Sequence, residues 1–61
     1  MRWSLEEIRR AKKKSQQELA DVCGVHVNTY ATWEKNPGKI PIDCAIKIAD
    51  LFGMSIKEIF G

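Results

Sequence analysis

The sequence predicts an all-α fold of five short helices, and three observations carry that prediction. Ser-x-x-Glu occurs three times, as Ser4 with Glu7, Ser15 with Glu18 and Ser55 with Glu58, and each reads as a capping box that starts a helix. Apolar residues then recur at i, i+3 and i+4 until a glycine or an Asn-Pro-Gly run interrupts them. No segment alternates apolar and polar residues with period two, so no sheet is expected.

The first helix is expected over about residues 5 to 13, burying Leu5, Ile8 and Ala11. Trp3 precedes it and can staple its start or pack on the last helix. The second helix covers 16 to 23, with Leu19, Val22 and Cys23 as its apolar stripe. Ala20 is small where a larger side chain would hold the next helix away, and Gly24 accepts the left-handed conformation of a helix stop. The third helix spans about 27 to 35, buries Tyr30 and Trp33, and ends at Asn36-Pro37-Gly38. There Asn36 tolerates a left-handed cap and Pro37 cannot continue the helix. Pro41 suits the first position of the fourth helix, whose face is Ile42, Ala45, Ile46, Ala49 and Phe52, ending at Gly53. A short fifth helix runs from 56 to 60.

Two short helices joined at Gly24-Val25 form a helix-turn-helix pattern, in which the second helix is offered to the DNA major groove. At this point the chain resembles the small helix-turn-helix domains of phage repressors and Cro-like proteins (the XRE type). The resemblance covers roughly residues 5 to 60. Its anchors are Ser15-Gln16-Gln17-Glu18-Leu19-Ala20, Gly24-Val25, Trp33-Glu34 and Leu51-Phe52-Gly53-Met54-Ser55-Ile56. It implies a lambda-repressor-like domain and a sequence-specific DNA-binding transcriptional regulator, a repressor working as a homodimer on a palindromic operator. Three positions depart from the family. His26 stands where Ser or Thr usually caps the recognition helix, Tyr30 where a branched aliphatic is usual, and Lys35-Asn36-Pro37-Gly38 follows Glu34 where Asn-Gly is common.

If Tyr30, Ala31 and Trp33 face inward or sideways, then Val27, Asn28 and Thr32 are left on the outer face, with His26 at its tip. Asn can pair with adenine through two hydrogen bonds, a Val methyl can pack on a thymine methyl, and Thr serves phosphate or base. The resemblance makes Val27, Asn28 and Thr32 the base readers and Gln16 a phosphate or outer-base contact. The other backbone contacts expected are Gln17, His26, Arg10, Lys14, Lys35, Asn36 and Lys39. Tyr30 brings a hydroxyl that must reach water or a partner.

Composition narrows the rest. Sixty-one residues make one domain, 1 to 61, and a chain this short buries only about 60% of its unfolded surface. Net charge is only +2, so any attraction to DNA depends on distribution. Five of the 10 basic residues are Arg9, Arg10, Lys12, Lys13 and Lys14, more than a helix C-terminus needs for its dipole. No stretch approaches a membrane span, and the first residues lead directly into a polar helix, so no signal peptide and a cytoplasmic location are expected. Cys23 and Cys44, on separate helix faces, are expected to be reduced and apart. One histidine and scattered carboxylates offer no metal or catalytic constellation, so neither cofactor, metal, small-molecule ligand nor enzyme activity is expected. Spare apolar residues at Met54, Ile56, Ile59 and Phe60 suggest a dimer contact. The alternatives are an antitoxin-type interaction module that also binds its own promoter, and a methylation-system controller.

Overall fold

A computed structural model describes residues 3–60. Its helices are α1 (Leu5–Ala11), α2 (Gln16–Cys23), α3 (Val27–Lys35), α4 (Ile42–Phe52) and α5 (Ile56–Phe60), with a 3-10 turn at Pro37–Lys39. No strand occurs among the described residues, so the all-α expectation is met. α2 packs on α3 and α4, while α5 packs on α4 and α1.

Local sequence sets the helix starts. Ser4, Ser15 and Ser55 each accept the backbone N–H three residues on, and Glu7, Glu18 and Glu58 return the bond to the serine N–H. All three capping boxes are therefore formed. α2 and α4 stop at Gly24 (φ 71°) and Gly53 (φ 66°), where Val25 N–H reaches back to the Ala20 carbonyl and Met54 N–H to that of Ala49. α1 stops earlier than residue 13 by the same device without glycine. Lys13 takes φ 59°, and Lys14 N–H bonds the Arg9 carbonyl. A left-handed lysine costs about 1 kcal/mol or more, so something else must secure this end.

The core is Leu5, Ile8, Leu19, Ala20, Tyr30, Ile48, Ala49, Phe52 and Ile59. Leu19, Tyr30 and Ile48 are fully buried. Ala20 is fully buried too, as its small size suggested. Four expectations need correction. Ala11 is exposed, because α1 ends there. Pro41 is the N-cap of α4 instead of its first helical residue. α4 buries Cys44, Ala45, Ile48, Ala49 and Phe52, leaving Ile42 (63%) and Ile46 (44%) exposed. Cys23 and Cys44 are free thiols but not apart, since Cys44 Sγ sits 3.9 Å from the Cys23 carbonyl oxygen. Trp3 is 64% exposed and borders two surface depressions, one shared with Ile8 and one with Ile59 and Phe60.

The inner face of α4 can be tested by truncation. Ile48→Ala removes a fully buried side chain and is expected to cost about 2–5 kcal/mol, much of the stability of so short a chain. Ile46→Ala should change stability by less than about 1 kcal/mol. Urea midpoints for the two variants should differ accordingly; similar midpoints would put the buried stripe elsewhere.

Candidate nucleic-acid interface

The glycine turn at Gly24 aims α3 away from α2, and Val25 tucks half-buried against the core behind it. His26 starts α3 by accepting the Asn28 N–H on Nδ1 at 3.1 Å. A histidine thus caps the helix in place of the usual hydroxyl. Because Nδ1 accepts, the neutral ring carries its proton on Nε2, which is left as a donor at the exposed tip.

α3 divides cleanly into two faces. Tyr30 is buried and Val27, Ala31, Trp33 and Glu34 are half-buried, while Asn28, Thr29, Thr32, Lys35 and Asn36 are exposed. Tyr30 and Trp33 meet edge to face, with ring centroids 6.5 Å apart. Val27 is not the freely exposed valine expected, because it packs against the core. Thr29 was missed by sequence reasoning. It lies one position from Asn28 and three from Thr32, a spacing that marks the outer face of a helix. The Asn28 amide makes no intramolecular hydrogen bond among the described residues. Thr32 Oγ1 donates to the Asn28 carbonyl at 3.0 Å, which leaves its lone pairs for a base amine and removes its proton from phosphate contact.

A polar cluster behind this face involves all three N-terminal helices. Arg9 Nε donates to Glu34 Oε2 at 2.6 Å, with side chains only 9% and 4% exposed, and Arg9 Nη1 donates to the Lys14 carbonyl at 2.8 Å. Gln16 Nε2 donates to Glu34 Oε1 at 2.8 Å. Arg9 is therefore not part of a phosphate-facing basic cluster. The Tyr30 hydroxyl is enclosed beside Glu34 without a well-formed hydrogen bond, so the expected route to water or a partner is absent. Burial first, and then the neighbouring carboxylate, push the Tyr30 hydroxyl well above its ordinary pKa. Burial would also raise the Glu34 pKa, but hydrogen bonds from Arg9 and Gln16 outweigh it and hold the carboxyl below its ordinary value.

The remaining expected contacts fall in three places. Gln16 has one amide hydrogen tied to Glu34 and one left, whereas Gln17 bonds Asp21, which sets a carboxylate beside it. Arg10 is exposed and paired with Glu6 at 2.6 Å, an i,i+4 contact that water screens. Lys14 is half-buried at the α1–α2 junction, and Lys35, Asn36 and Lys39 are exposed around the 3-10 turn. Asn36 has φ −132° and so is not the left-handed cap expected. The N–H groups of Asn36, Lys39 and Ile40 bond within the turn and Pro37 has none, so Gly38 supplies the only N–H of this stretch without a recorded internal partner.

The dimer surface also needs correction. Ile59 is 5% exposed and closes the chain's own core, and Met54 packs partly against it. Ile56 and Phe60 instead border a groove of about 230 Å³ with Pro37, Ile40 and Ile42. No cluster of three or more metal-ligating side chains occurs among the described residues. No helix among them is long and apolar enough to cross a membrane.

The buried pair and the three capping glutamates predict acid sensitivity. Glu7, Glu18 and Glu58 are each held below the ordinary value by the backbone N–H of their serine, and Glu34 as described. Lowered folded-state values favour folding above the unfolded carboxyl range, and that stability is lost as pH falls through the folded values. Melting temperature should thus hold at neutral pH and drop steadily below about pH 4.5. Glu34→Gln should cost about 3 kcal/mol at pH 7 by stranding Arg9 and should shrink the acid loss. An unchanged acid profile in that variant would mean the ion pair does not titrate with folding.

The sequence profile of the helix-turn-helix family matches residues 5–59. Over 53 residues, 87% of this chain and 47% of the relative, it is 34% identical to the cryptic phage CTXphi transcriptional repressor RstR of Vibrio cholerae. Over 57 residues, 93% of this chain and 51% of the relative, it is 30% identical to the uncharacterized HTH-type transcriptional regulator YobD of Bacillus subtilis. The chain spans about half the length of these curated relatives. No solved structure matches it significantly. With a family match over nearly the whole chain and all five helices in place, the chain belongs to the helix-turn-helix family.

Proposed function

We propose that the chain is a sequence-specific repressor that places α3 in the major groove and works as a dimer on a palindromic operator. The observation that carries this reading is the exposed face of α3, where the unbonded Asn28 amide stands beside Thr29 and Thr32. Asn28 suits adenine, Thr32 suits a base amine, and the unpacked part of Val27 suits a thymine methyl. Gln16, through its second amide hydrogen, joins the His26 Nε2–H, Lys14, Lys35 and Lys39 as phosphate ligands. Arg10 joins them when it leaves Glu6. The similarity to a phage repressor supports the direction of regulation.

Two changes separate base reading from backbone attraction. Asn28→Ala should lose about 1–3 kcal/mol on the preferred site and little on random duplex. Lys39→Ala should weaken both alike and reduce the slope of log affinity against log salt by about 0.9. Fluorescence anisotropy at several salt concentrations measures both. Equal losses on both duplexes for Asn28→Ala would remove Asn28 from base reading.

Pairing follows from size. The described residues extend 29 Å at most, less than the roughly 34 Å between successive major-groove faces. One copy therefore cannot read two half-sites. A second copy seated on the groove of Ile42, Ile56 and Phe60 would cover apolar surface that the chain itself leaves open. Sedimentation with a palindromic duplex should find two copies per duplex, bound cooperatively. Ile42→Lys, at a 63% exposed position, should abolish the cooperativity and leave half-site affinity intact. Independent binding by the unmodified chain would end the pairing proposal.

A further inference from the structure

We propose that Cys23 and Cys44 form a redox-modification site, at which a small disulfide of the glutathione type closes a bond between α2 and α4. Both thiols are free, and they come from helices packed directly against each other. Cys44 Sγ donates to the Cys23 carbonyl at 3.9 Å, across 21 positions of sequence, so one thiol already lies against the backbone of the other cysteine. Neither belongs to the exposed face of α3. The proposal is therefore independent of the DNA-reading assignment.

Exposure assigns the two roles. Cys44 is 7% exposed, too enclosed to meet a bulky reagent, whereas Cys23 is half-buried and open on one side. The Cys23 thiolate attacks one sulfur of the small disulfide, whose S–S bond breaks, and one small thiolate leaves and takes up a proton. Cys44 then loses its proton and attacks the Cys23 sulfur. The mixed disulfide breaks, the second small thiolate leaves, and a Cys23–Cys44 bond remains. Two protein thiols are oxidised and one small disulfide is reduced to two thiols.

Burial, reinforced by the contact with Cys44, pushes the Cys23 thiol up to about 12. Its thiolate is scarce at neutral pH, so closure is slow. The rate should climb about tenfold per pH unit well beyond the ordinary thiol range near 8.5. Because Cys23 is the last residue of α2 before Gly24, the bond would pin the base of the turn to α4.

The test incubates the folded chain with oxidised glutathione and reads intact mass, peptide maps and melting temperature. The unmodified sequence should lose two hydrogens without retaining glutathione, and should melt higher by roughly 5 °C or more until dithiothreitol reverses it. Cys44→Ser should stall as a single glutathione adduct on Cys23, and Cys23→Ser should stay unmodified. A persistent adduct on the unmodified sequence, crosslinking only between chains, or no reaction would overturn the site. Equal adducts on the two variants would overturn the assigned roles.

Discussion

One carboxylate, that of Glu34, joins the first three helices of the chain. It belongs to α3, receives Arg9 from α1 and Gln16 from α2, and through Arg9 is linked to the Lys14 carbonyl between them. Desolvating such a pair is costly, and apolar residues of similar volume are often as stabilising. Its contribution is geometric. Methyl groups would allow the helices to slide and rotate, whereas a guanidinium fork and an amide on one carboxylate accept a single arrangement. The hook on Lys14 also secures the α1 end, where Lys13 holds a left-handed conformation that favours glycine.

The apolar core and this polar cluster divide the work along the chain. α1 contributes only Leu5 and Ile8 to the core besides Arg9, so its orientation depends heavily on the ion pair. α4 makes the broadest apolar contribution and packs on α2, which in turn carries α3. Tyr30 belongs to both parts: its ring fills the centre and its hydroxyl ends beside Glu34. A buried hydroxyl without a good partner is a local cost, tolerated where the ring supplies the largest fully buried side chain of the domain.

What the sequence revealed follows the range of the forces involved. Capping boxes and glycine stops act within a few residues, and all three serine caps with Gly24 and Gly53 could be read directly. The Arg9–Glu34 pair spans 25 positions, and five neighbouring cations disguised the one that folds inward. On α4, two stripes share Ala45, Ala49 and Phe52. Choosing between Ile46 and Ile48 required knowing that both α2 and α5 pack on that helix. The same lack of tertiary information made Val27 look free, Ile59 look spare and Cys23 look remote from Cys44, and it hid Thr29. The outline of α3 was legible because its inner face is anchored by two aromatic residues at helical spacing.

The histidine that opens α3 makes that helix unlike the other side-chain-capped ones. At the starts of α1, α2 and α5 a serine hydroxyl accepts one backbone N–H, and a glutamate three residues on accepts the serine's own. An imidazole accepts an N–H only while Nδ1 carries no proton. The ring is a rigid plane, so binding the Asn28 N–H on Nδ1 fixes where its opposite edge points at the exposed start of the helix. Among the described helices, α3 is thus the one whose side-chain cap is a ring with a second nitrogen left over beyond the bond that starts the helix.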